Sequence, residues 1–144
     1  MTRTRLHVPF ALRCGAFLID YILIVSLVVL GTLFARMLGG GARTAGTSAE
    51  TGAIVLAIVV ALLNFGVLPG LTGVTLGKWA AGLRIKRVDE GNPGIGRALL
   101  RHFVGYPLSL LTFGIGFLLA ITTVQGRGLH DMIAGTVVVR EGSL

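Results

Sequence analysis

The segment ALRCGAFLIDYILIVSLVVLGTLFAR, residues 11–36, decides the fold. It exceeds the roughly 20 mostly apolar residues a helix needs to cross a bilayer. It also carries Arg13 at its mouth and Asp20 inside. A carboxylate at the centre of a spanning helix costs on the order of 2.5–3.5 kcal/mol on insertion scales, and such residues turn toward a bundle interior or a wet cavity and take a partner. Asp20 sits about 9 Å into the span at about 1.5 Å rise per residue. Arg13 lies two turns earlier on the same face, about 10 Å away along the axis, and is placed to snorkel toward the cytoplasmic headgroups. The cations expected at Asp20 therefore come from Lys78, Arg97, Arg101 or Arg127.

The rest of the chain shares this character. Of 144 residues, 53% are hydrophobic and 13% charged, against roughly 25% charged in soluble domains. Mean hydropathy is +0.86. These values point to an all-α integral membrane protein of three to four transmembrane or re-entrant helices, forming one domain over 1–144 with the lipid bilayer as its first partner. Net charge is +7. The basic residues flank apolar segments, so topology and anionic lipid account for them and no nucleic-acid partner is expected. A single cysteine, Cys14, excludes an internal disulfide and reads as a small packing residue. His7, His102 and His130 show no metal-ligand spacing, and neither a metal nor another cofactor is expected.

Spans are expected at about 12–35, 52–69 and 104–124. The first is too long for a signal-peptide core of about 7–15 residues. Between the first two lies the Gly-rich loop 36–51, in which Arg36, Arg43 and Glu50 nearly balance and Ser48 or Thr51 is placed to cap the next helix. Asn64 is the only polar side chain of the second span. The basic N-terminus and the basic stretch 74–103 both belong on the cytoplasmic side, giving a multi-pass inner-membrane protein with its N-terminus inside. Gly105–Pro107 and the Gly114/Gly116 pair interrupt the third apolar segment. If it crosses once, the C-terminus is outside; if 97–111 and 112–124 form a bent or re-entrant pair, the C-terminus returns to the cytoplasm. Leu83–Val88 and the β-branched run 136–140, TVVVR, read as strands that could pair if both lie on one side. That pairing favours the return.

Other stretches are less telling. GLTGVTLGKW, residues 70–79, has Thr72 where a phosphate-binding loop needs Gly and Trp79 where it needs Ser or Thr. It reads instead as a turn into an interfacial helix with Lys78 and Trp79 at headgroup depth. Gly66/Gly70 and Gly73/Gly77 have the spacing of close helix contacts. In RGLHDMIAGT, residues 127–136, Asp131 has three readings. It caps a short helix, it meets the basic loop, or it shares a cation with Asp20.

Taken together, these residues resemble the RDD family of small bacterial membrane proteins, named for one arginine and two aspartates. Arg13, Asp20 and Asp131 stand at those three positions. The stretch GVTLGKWAAGLRI with Gly77 and Lys78, the later Arg101, and the ending RGLHDMIAGTVVV with His130–Asp131 and Gly135–Thr136 are similar as well. Trp79 departs from the basic or polar residue common there. The resemblance implies a family signature at Arg13, Asp20 and Asp131 with Lys78, Arg101 and His130 in support. It also implies transport of small ligands, including sodium–proton exchange proposed for some members.

No nucleophile–base pair is evident, so no enzymatic activity is expected. Two functions remain open. One is a small-ligand or cation/proton transport module that uses the buried carboxylates and works as a homo-oligomer. The other is a non-catalytic accessory or assembly subunit of a larger membrane complex.

Overall fold

The computed structural model describes residues 8–39, 48–89 and 91–140. Arg3, Arg5, His7, Arg43 and Glu90, which entered the reading of charge and loops, lie outside them.

The expected first span is one helix, α1 (Phe10–Gly39). Ile22, Leu30 and Phe34 stay exposed along it. Such a surface suits lipid, which cannot satisfy backbone polar groups and so requires a continuous helix. The second span starts as α2 (Ser48–Leu62), passes through a π-helical turn at Leu63–Val67, and ends as α3 (Leu68–Thr72). Three contacts show that it runs antiparallel to α1. Arg36 pairs with Glu50 at 2.8 Å, a Cβ on Gly31 would lie 3.3 Å from Ala53, and Asn64 bonds Asp20 at 2.9 Å. Gly73 closes α3 in the left-handed region, at φ 77°.

A short helix, α4 (Leu76–Ala80), leads into β1 (Leu83–Arg87). Next come α5 (Ile95–Leu99), a second π-helical turn at Leu100–Gly105, and α6 (Tyr106–Leu111). The chain then bends by 99° into α7 (Ile115–Thr122). It finishes with α8 (Leu129–Ala134) and β2 (Thr136–Arg140).

The two strands pair antiparallel, with Leu83 opposite Arg140, Ile85 opposite Val138 and Arg87 opposite Thr136. The first strand stops at Arg87, one residue short of expectation, though Val88 N still donates to Gly135 O at 3.3 Å. Leu83, Ile85 and Val138 dock on Val8, Leu12 and Ala16 at the start of α1. The sheet therefore lies at the N-terminal end of α1. Residues 95–122 leave it and come back to it, so the apolar segment 104–124 is not a single crossing. Two helices long and apolar enough to cross a membrane, α1 and the α2–α3 segment, pack with a bent pair that returns toward the sheet, and β2 ends on the side where α1 begins.

The Gly66/Gly70 spacing serves this packing within the chain. A Cβ on Gly66 would meet Leu99, and one on Gly70 would meet the backbone of Ile95, so both admit α5. Leu83 is fully buried under α1. Leu83→Ala should cost about 2–5 kcal/mol, read as a lower unfolding midpoint of the detergent-solubilised protein. The same change at the exposed Leu111 should cost little.

Candidate functional site

Two buried carboxylates organise the interior, and they do different things. Asp131 sits in the first turn of α8, one residue after His130. Its Oδ2 accepts a bond from Gly128 N at 3.1 Å, while its own N–H donates to Gly128 O at 3.0 Å. It thus caps α8, and it also meets cations. Arg101, held inward by the second π turn, forms an ion pair with Asp131 Oδ1 and donates to Thr136 Oγ1 at 2.9 Å. Arg13 Nη1 lies 3.5 Å from Asp131 Oδ2. Arg13 also donates to Gly126 O and, at 3.3 Å, to Val138 O. It does not snorkel toward the headgroups, because carbonyls and a carboxylate already solvate it inside. Arg127 donates to Thr136 O at 3.0 Å and Asp131 O at 3.3 Å, bracing the end of α8.

Asp20 takes neutral partners instead of the expected cations. Its Oδ1 accepts from Asn64 Nδ2 at 2.9 Å and from Gly77 N at 2.8 Å, and its Oδ2 accepts from Thr75 Oγ1 at 2.5 Å. Asn64 Oδ1 in turn accepts from Leu76 N at 2.9 Å. Arg101 and Arg127 are occupied around Asp131, and no ion pair joins Lys78 or Arg97 to Asp20 among the described residues. The reason is geometric. The glycine at 77 lets the backbone of α4 press against α1, where a Cβ would collide with Ala16 O and approach Asp20 Cγ to 2.8 Å. Backbone and hydroxyl donors then arrive before any long cationic side chain can. Asp20 and Asp131 share no partner among the described residues.

Lys78 is the second departure. It is 4% exposed rather than at headgroup depth, while its neighbour Trp79 is 67% exposed. Its backbone N–H bonds Thr75 Oγ1 at 3.3 Å. No hydrogen bond or ion pair joins its side chain to an acid among the described residues. Together with Arg13, Arg101 and His130 it lines a cavity of about 780 Å³ between α1 and the re-entrant pair. Phe17, Tyr106 and Phe117 form an aromatic wall of this cavity, with ring centroids 5.4–5.9 Å apart. No Asp or Glu lines it among the described residues.

His130 faces Tyr106 edge-on at 4.6 Å, and its Nε2 is 3.5 Å from Asp131 Oδ2. Burial drives its pKa from 6.5 to about 3, against the pull of Asp131. Burial alone would raise Asp131, but the guanidinium of Arg101, with Arg13 behind it, holds the carboxyl below its ordinary 3.8. Among the described residues, no three of His, Cys, Asp and Glu converge as metal ligands.

The structure therefore unites Arg13, Arg101, His130 and Asp131 in one network, sets Asp20 in another, and puts Lys78 beside both. The reading from sequence missed Thr75 as a partner of Asp20, and it noted Asn64 without placing it there. Both left a signal. Asn64 is a lone amide inside a span, and Thr75 precedes a helical stretch as an N-cap residue does.

These features define a small membrane protein whose interior is tied together by a buried arginine–aspartate network and a separately cradled aspartate. The chain belongs to the RDD family, whose profile matches residues 8–135. It is 30% identical over 135 residues to the uncharacterized protein YckC of Bacillus subtilis, covering 90% of this chain and 82% of the relative. No solved structure matches.

Two outcomes follow from the geometry. Both His130 and Asp131 have native pKa values below their unfolded ones, so the unfolded state binds more protons and stability falls as pH is lowered. The loss should begin as pH drops through about 6.5 and steepen below about 4, seen as a falling unfolding temperature. His130→Gln should make the upper part of that decline shallower. Gly77→Ala should destabilise the protein more than Gly52→Ala, since nothing lies within 4 Å of a Cβ at Gly52.

Proposed function

We propose that this protein is a small-ligand transport module of the bacterial cytoplasmic (inner) membrane, with its N-terminus inside, and that its ligand is an anion held at the cavity between α1 and the re-entrant pair. The observation that carries this reading is Lys78, a buried basic side chain with no acidic partner among the described residues, lining a mostly apolar cavity beside Arg13 and Arg101. A buried cation is costly unless something compensates it. The carboxylates do not face this space: Asp131 is engaged by two arginines and Asp20 by three neutral donors. They act as supports that position the basic residues. Two spans and a re-entrant pair do not enclose a pathway, so transport requires a homo-oligomer or partners in a membrane complex.

Exchange of protons or sodium at Asp20 is the second reading. It is favoured by a carboxylate within a span that meets donors but no cation.

Reconstituted vesicles separate the two. Radiolabelled glycerol phosphate and dodecyl phosphate serve as anionic probes, one without and one with a tail. The anion reading expects movement of at least one probe, lost in Lys78→Met, and no proton or sodium flux. A cation flux abolished by Asp20→Asn and kept in Lys78→Met overturns it in favour of the second reading.

A further inference from the structure

We infer that the cavity is a lateral binding site for an anionic phospholipid of the surrounding bilayer, with the phosphate at Lys78 and an acyl chain leaving between α1 and the re-entrant pair. This rests on the anion reading above and names the class of ligand. Three observations lead to it.

The first is the location of the opening. The cavity is lined at its rim by Leu18, Leu110 and Phe113, which are 55%, 71% and 97% exposed. These side chains belong to the apolar surface that α1 and the re-entrant pair turn to lipid. A ligand entering there comes from the hydrocarbon phase and must itself be apolar over most of its length. A water-soluble anion would have to cross that rim.

The second is the polarity of the lining. The lining combines these exposed apolar side chains and an aromatic wall with the buried Arg13, Lys78 and Arg101, and no acid is among its described residues. An apolar slot with basic residues matches an amphiphile with one charged end. About 780 Å³ is space for a headgroup and part of a chain, not for a whole two-chain lipid, so the remaining tail stays in the bilayer.

The third is unfilled hydrogen-bonding capacity. Lys78 is buried, and no hydrogen bond or ion pair joins its side chain to an acid among the described residues. Nε of Arg13, Nε of Arg101 and Nδ1 of His130 are buried without a partner among the described residues. Buried nitrogens of this kind are ordinarily satisfied. Carried by residues that line one cavity, they call for an acceptor with several oxygens, and a phosphate supplies more of them than a carboxylate.

The test uses the full chain in a neutral detergent, with native mass spectrometry reporting bound lipid and thermal unfolding reporting stability. Phosphatidic acid should be retained at one per chain and phosphatidylcholine should not. Lys78→Met should cut retention at least about thirtyfold, the low end for removing one member of a desolvated charge pair. Lys78→Arg should restore it. Without lipid, Lys78→Met should unfold at the wild-type temperature or higher, because it removes an uncompensated buried cation; a purely structural lysine would give a lower one. Leu110→Trp should block the tail and weaken phosphatidic acid while leaving any binding of glycerol phosphate intact.

Equal retention of both lipids, or retention unchanged in Lys78→Met, overturns the inference. Lys78-dependent binding of glycerol phosphate without phosphatidic acid overturns it too, yet leaves the anion reading standing. Binding of neither removes both.

Discussion

The arrangement depends on one buried contact, the carboxylate of Asp131 between Arg101 and Arg13. The three residues come from α8, the π turn after α5, and α1. No pair of them is close in sequence, so the contact forms only when the sheet, the re-entrant pair and the first span are all in place. Buried ion pairs add little net stability, because desolvation offsets attraction, but breaking one partner typically costs about 3–5 kcal/mol. The network therefore acts on geometry. Arg13 bonds Val138 O of β2, and Arg101 bonds Thr136 Oγ1 at its start. The second strand is thus anchored to the helices it must lie beside, and the re-entrant pair cannot straighten into a third span without losing it.

Asp20 solves a different problem with different means. It must be satisfied inside a span, where water is absent and unsatisfied polar groups cost several kcal/mol. Three donors from the second span and α4 do so without bringing in a counter-charge. The π-helical turns belong to this economy of space. The extra residue in each turn rotates the following side chains, and the two turns contain Asn64 and Arg101, the inward groups that meet Asp20 and Asp131. Such turns often accompany functional positions. Here they are how an otherwise apolar helix presents one polar group to the interior.

How much of this was readable in the sequence follows from the range of each interaction. The spans follow from local composition, and the strands from β-branched runs bounded by turns, so the helices and the pairing of residues 83–87 with 136–140 could be anticipated. Arg13, Asp20 and Asp131 stood out because charge within apolar sequence is expensive. Which residue meets which did not follow. Charge alone assigns Asp20 to the nearest available cations, whereas a close backbone approach at Gly77 gives it to Thr75 and an amide. That approach depends on how two helices pack, and nothing local encodes it. The π turns were equally hidden, since LNFGV and LRHFVG carry no sequence mark that separates them from ordinary helix.

The pattern of satisfied and unsatisfied charge then locates the working surface better than the conspicuous acids do. A buried acid in a membrane protein draws attention as an ion site, yet both acids here are fully occupied by the fold itself. Among the described residues, the buried side-chain nitrogens without a partner include Nε of Arg13, Nε of Arg101 and Nδ1 of His130, and all three residues line one cavity together with the buried Lys78. Asp131 holds Arg13 and Arg101 in position, and Asp20 holds the backbone that carries Lys78 through Gly77. In the proposed site, Arg13, Asp20 and Asp131 are the frame, and Lys78 is the residue offered to the ligand.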